Sequence, residues 1–219
     1  MKKNSTSLLI ILTVAIMIVA GCKLPKFGGE KNVPVDTNNQ PNIKQSPPPS
    51  TKPLSSKLIA WELGNKISIA AILYNATGNE STDSLPKAKI LAREVGADIP
   101  PFPQRTGDKI KDTAAILGYL LRDVGKNVGG KVKDKYGEVE AALFEMSLKT
   151  NVLLVIYVPN DSTALATAKV IRDRAKTGGL PENLWLPLVN KIEGGGSFNE
   201  IKDMALKMQT DVSHYLDQQ

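Results

Sequence analysis

Two stretches of the chain begin polar and end apolar on every side: positions 61–75 read WELGNKISIAAILYN and positions 144–158 read FEMSLKTNVLLVIYV. A helix on the surface keeps a polar face along its whole length, so one that turns apolar all round belongs in a core. The pattern predicts two central helices, over about 57–76 and 138–157. Around them the periodicity predicts amphipathic helices over about 85–95, 106–125 and 163–176, a short one over about 181–192, and a last one from 197 to about 216. Ser84 is placed to cap the second helix, with Pro86 in its first turn and Gly96 as its stop. Ser197 with Glu200 three residues on has capping-box spacing. Positions 152–158, VLLVIYV, are β-branched and followed by Pro159, as a buried strand would be. They are read as helix because the chain offers no second convincing strand to pair with them. The expected fold is an all-α bundle of about seven helices with two central apolar ones.

The two opening stretches also match residue by residue. At a constant offset Trp61 corresponds to Phe144, Glu62 to Glu145, Lys66 to Lys149, Ser68 to Asn151 and Tyr74 to Tyr157. Further on, AKILAREVGADIP from Ala88 resembles AKVIRDRAKTGGLP from Ala168, and DKIKDTAAIL from Asp108 resembles NEIKDMALKM from Asn199. Three blocks in one order predict a duplicated three-helix unit, with halves over about 57–125 and 138–217. The short helix around Trp185 would then be an addition to the second half.

Ahead of this domain lie Lys2 and Lys3, a thirteen-residue run from Leu8 to Ala20 broken only by Thr13, and then Gly21 and Cys22. The run is shorter than the about 20 residues that a spanning helix takes and fits the apolar core of an export signal. The residues VAGC, Val19 to Cys22, resemble the lipobox of bacterial lipoproteins. That resemblance covers the first 22 residues and implies cleavage after position 21, with diacylglycerol on the Cys22 thiol and an acylated new amino terminus. Lys23 stands where lipoproteins retained at the inner membrane often carry aspartate. The resemblance therefore implies a protein lipid-anchored in the bacterial cell envelope, at the outer membrane and facing the periplasm. Cys22 is the single cysteine, so no disulfide is expected. Positions 22–55, rich in proline, asparagine, serine and lysine, have little to bury and read as a tether ahead of a domain over 56–219.

The formal charge of +6 suggests nucleic acid until it is located. Lys2 and Lys3 belong to the signal, and five lysines against Glu30 and Asp36 put +3 on the tether. From position 53 onward 21 basic and 20 acidic side chains leave only +1. An exported, nearly neutral domain does not suit a phosphate backbone. The cluster Lys126, Lys131, Lys133 and Lys135 around Asp134 reads as a solvated connector, with an acidic partner as the alternative.

Catalytic and metal chemistry is sparse. His214 is the single histidine, and its neighbour Ser213 cannot face it on a helix. Zinc and di-iron sites need more ligands than the chain supplies, and KNVGGK at 126–131 lacks P-loop spacing. No catalytic residue, metal or cofactor is expected. Two readings remain for the repeated positions. If the halves pack about a pseudo-twofold axis, Glu62, Lys66, Tyr74, Glu145, Lys149 and Tyr157 line a cleft for a small ligand. Otherwise Glu62 with Lys66, and Glu145 with Lys149, are intrahelical ion pairs contributing about 0.2–0.5 kcal/mol each. Trp185, in a proline-bounded helix of one half only, is the expected anchor for an envelope protein partner. The leading expectation is a non-catalytic interaction or scaffold module, and the alternative is a small-ligand receptor using the cleft.

Overall fold

The computed structural model describes residues 53–219 apart from Ser81; the export signal, Cys22 and the tether up to position 52 lie outside the described residues. Helix α1 (Ser56–Thr77) opens where the Ser55 side chain accepts a hydrogen bond from the Leu58 amide. It closes at Gly78, whose φ of 75° is left-handed, a conformation that a β-carbon disfavours. Helix α2 (Ser84–Glu94) starts one residue earlier than expected, with Asp83 rather than Ser84 in the flanking position and no side-chain cap.

Helix α3 (Lys109–Gly118) is capped by Asp108, whose side chain accepts from the Ile110 and Lys111 amides. It does not end near Gly125 as its glycines suggest. It passes into a π-helical stretch (Tyr119–Val128) and then into α4 (Gly129–Tyr136), forming one rod over 109–136. The sequence explains why. Asp112, Ile116, Leu120, Val124, Val128 and Val132 are all buried and recur at every fourth position. On an α-helix of 3.6 residues per turn such a stripe drifts by about 40° per step. The wider π turn, with its i→i+5 hydrogen bonds, turns the drift back. One side of the rod can therefore stay buried along its length.

Four more helices follow: α5 (Glu138–Ile156), α6 (Ser162–Thr177), α7 (Glu182–Glu193) and α8 (Phe198–Asp217). With the rod counted once, the described residues form seven helices and no strand, so the all-α expectation holds. The strand-like stretch stays helical to Ile156, and Tyr157 leaves it in an extended conformation. The capping box at Ser197 and Glu200 forms with both of its hydrogen bonds.

Helices α1 and α5 pack on each other as the central pair. They bury twelve and eleven residues, more than any other helix, as apolar-all-round segments should. They also trade side chains between two cores. Leu58 and Trp61 of α1 join the cluster built from the second half around Ile171, Trp185 and Val212. Phe144, Leu148 and Val152 of α5 join the cluster built from the first half around Ile67, Leu120 and Val128. Trp61 and Phe144 occupy the same place in the repeat, and reciprocal contacts of this kind are what a twofold relation between two units produces. Each ring is almost wholly buried; burying a large apolar side chain contributes about 1.5–3 kcal/mol.

Candidate functional site: a groove between the two halves

The two central helices meet the remaining helices in two comparable places. On one side α8 crosses α1, and there the interface is closed. The Trp61 indole donates to Ser213 Oγ at 3.0 Å, and the Ser213 hydroxyl donates to Glu62. Glu62 in turn pairs with Lys66 at 3.0 Å. On the other side the rod crosses α5, and there a groove of about 400 Å³ remains open, a size within the small-ligand range of about 300–1,000 Å³.

Glycine is the difference between the two. Gly129 lets the rod approach the Phe144 ring, since a β-carbon there would lie 3.1 Å from Phe144 Cε1. Gly130 faces open space, with nothing within 4 Å of where its β-carbon would be. Gly125 lines the same groove. On the rod, Lys126, Gly130 and Lys133 are spaced four and three apart and so share a face. On α5, Glu145 and Lys149 are four apart and line the opposite wall.

Six charged side chains line the groove, and two cation–carboxylate pairs use four of them. Lys133 meets Glu138 at 2.5 Å, and Arg174 of α6 meets Glu145 at 2.7 Å. The hydrogen bond and charge of Glu138 raise the pKa of Lys133 above its ordinary value. Among the described residues Lys126 and Lys149 have no ion-pair partner, which leaves the groove with two uncompensated ammonium groups. The lining has no hydroxyl, thiol or imidazole among the described residues. Its apolar part comes from alanines, Phe144, Leu148 and the partly exposed Leu121.

The six residues expected to line one cleft are thus divided. Glu145 and Lys149 do line the groove, although Glu145 pairs with Arg174 and not with Lys149. Glu62 and Lys66 form the simple intrahelical pair and face Ser213. Tyr74 stacks on Phe102 with ring centroids 4.9 Å apart, and Phe102 packs edge-on against Tyr119. The Tyr119 hydroxyl donates to the Pro100 carbonyl at 2.8 Å, and burial pushes its pKa far up. Tyr157 is buried and donates to the Gly196 carbonyl at 2.6 Å, tying the end of α5 to the turn before α8; burial raises its pKa as well. Both tyrosines hold loops in place.

Trp185 also departs from expectation. It is 1 % exposed and its indole donates to the Leu180 carbonyl at 3.2 Å. Its short helix packs between α6 and α8 and turns the ring into the second core, so Trp185 presents no anchor to a partner. His214 is exposed and meets Gln218 at 2.8 Å, while the Ser213 hydroxyl goes to Glu62.

Arg174 and the three glycines were not singled out from the sequence as a site, and Lys126 and Lys133 were read with Lys131 and Lys135 as a solvated connector, with an acidic partner only as the alternative. The signal was present in GKNVGGKVKDK at 125–135, but glycines beside lysines read as a connector when they in fact lie on a continuous helix.

Among the described residues no group of three or more histidine, cysteine, aspartate or glutamate side chains is placed to hold a metal, and no helix is long and apolar enough to cross a membrane. No protein family's model, no curated protein and no solved structure matches the chain.

Proposed function

We propose that this chain is a lipoprotein of the bacterial cell envelope whose helical domain binds through the groove between the rod and α5, without catalysis. The anchor rests on the sequence: two lysines, a short apolar run and VAGC stand in the order of a lipoprotein signal. Acyl chains on Cys22 would hold the protein at the outer membrane, since two or more chains make a lasting anchor. Positions 23–55 would let the domain stand off the bilayer and face the periplasm.

One observation carries the binding reading. Of two comparable interfaces around the central helices, one is sealed by Trp61, Ser213 and Glu62, and the other is left open with two lysines unpaired. A groove of this size favours a small ligand over a broad scaffold face. Catalysis has no advocate in the lining, where both carboxylates already face cations.

The test is crosslinking in the cell from a photoreactive residue at position 121, on the groove rim. The lipidated protein should capture an envelope species, and Gly130→Leu, which fills the groove, should abolish the capture. A Cys22→Ser variant should leave the membrane fraction. Capture that is equally strong in Gly130→Leu would remove the groove as the recognition element.

A further inference from the structure

We infer that the groove takes a small amphiphilic anion, its acidic group held by Lys126 and Lys149 and its apolar part against Leu121, Phe144 and Leu148. This rests on the binding reading above and adds the chemistry of the ligand.

Charge makes the first selection. The lining holds four cations and two carboxylates, and the carboxylates are taken by Lys133 and Arg174. A neutral ligand would leave the groove's excess of two positive charges uncompensated, whereas an anion offsets it and gains charge-assisted hydrogen bonds. A cationic ligand would add to that excess. The chain's own tether, at +3, is excluded as an occupant for the same reason.

The walls make the second selection. Leu121 is 39 % exposed at the rim, and Ala141, Ala142 and the almost wholly buried Phe144 and Leu148 line the groove behind it, so the surface beside the lysines is apolar. Inorganic phosphate would satisfy the lysines and leave this surface wet. A nucleic acid would need a longer basic track than two lysines flanked by Glu138 and Glu145. A ligand with one acidic end and one compact apolar body satisfies both halves of the lining at once.

Calorimetry on the full-length lipidated protein in nanodiscs, blanked against empty discs, tests this with naphthyl phosphate, naphthol and inorganic phosphate as probes. Naphthyl phosphate should bind at one site, roughly tenfold or more tighter than either of its halves. Reversing Lys126 and Lys149 to glutamate should weaken it roughly tenfold or more, whereas reversing the exposed Lys87 and Lys89 of α2, the same change in net charge, should leave it unaltered. Gly130→Leu should abolish it. If inorganic phosphate binds as well as naphthyl phosphate, the groove is a plain anion site and the inference fails. The inference also fails if naphthyl phosphate does not bind or if the two lysine reversals act alike. Should Gly130→Leu block naphthol and naphthyl phosphate equally while Lys126→Glu with Lys149→Glu changes neither, the groove binds ligands without selecting anions: the binding reading then stands and the anionic ligand does not.

Discussion

Gly64 of α1 and Ser147 of α5 hold equivalent places in the repeat and touch each other: a β-carbon on Gly64 would lie 2.0 Å from Ser147 Oγ and 2.6 Å from the Phe144 carbonyl oxygen. Two copies of one position meet where the axis relating the copies passes. The central helices therefore approach closely where the two matching positions meet, and glycine at 64 sets how close they come there.

Gly64→Ala should separate the helices and cost on the order of 1–3 kcal/mol, the usual range for overpacking a tight interior. Part of the obstruction is a side chain and part is backbone. Ser147→Gly in the same chain should thus restore some of the loss and leave the share due to the Phe144 carbonyl. Urea unfolding of the two single variants and the double variant measures this. Full restoration would mean that the serine alone sets the spacing.

Near that crossing a buried amide chain ties three helices together. Gln209 of α8 donates to Asn151 of α5 at 3.0 Å, and Asn151 donates to Asn65 of α1 at 3.0 Å and to the Ser147 carbonyl at 3.1 Å. Asn151→Ala should cost about 1–3 kcal/mol, because it leaves two buried amides without their partner. Replacing Asn65, Asn151 and Gln209 together with leucine should recover much of that loss, since no polar group is then stranded. A triple variant less stable than Asn151→Ala alone would show that the amides are worth more than the packing that replaces them.

The central pair was legible because its signal is not a matter of faces. A segment apolar all round, as at 67–73 and 152–156, has one destination. The Ser197 capping box was legible because it is written in two residues three apart. What the sequence reading lost was the rod over 109–136. Its buried stripe repeats every four residues, longer than the helical period of 3.6 and far from the strand period of 2, and Gly125, Gly129 and Gly130 read as stops when only the local signal is weighed. The groove was lost with it, since a site on a helix face cannot be seen until the helix is. Trp185 failed differently: a tryptophan in a short proline-bounded helix looks the same in sequence whether it points in or out.

The acid limb of stability should trace to three carboxylates, of which Asp161, held below its ordinary value by the Thr163 hydroxyl and amide at the start of α6, is one. Lys191, followed by the Ser197 amide and hydroxyl, holds Glu200 down to about 2 from an ordinary 4.5. The Thr106 amide, then the Thr106 hydroxyl and the Gly107 amide, lower Asp112 below its ordinary value and pin the proline-rich loop to α3. A carboxylate with a lowered folded value carries fewer protons folded than unfolded, so its contribution is complete above the unfolded value and is lost as pH falls toward the folded one. Melting temperature should therefore fall as pH drops from about 4.5 toward about 2. Glu200→Gln should lower it at neutral pH and flatten that decline. A decline of unchanged steepness would show that Glu200 is not a source of it.

Adjacent glycines of α4 separate what the fold needs from what the groove needs. At 129 a β-carbon would press on the Phe144 ring at 3.1 and 3.3 Å, and that ring is 1 % exposed with little room to yield. At 130 it would meet nothing within 4 Å. Alanine in place of glycine inside a helix stabilises by about 0.5–1 kcal/mol when nothing opposes it. Gly130→Ala should therefore raise the melting temperature, while Gly129→Ala should gain nothing or lose, ending about 1 kcal/mol or more below it. Thermal unfolding of the two variants decides the matter. A stabilised Gly130→Ala that also binds naphthyl phosphate more weakly would show a glycine that costs the helix stability and keeps the groove open. Equal stabilisation at both positions would mean that Phe144 does not press on the rod, and the account of why the groove exists would fall with it.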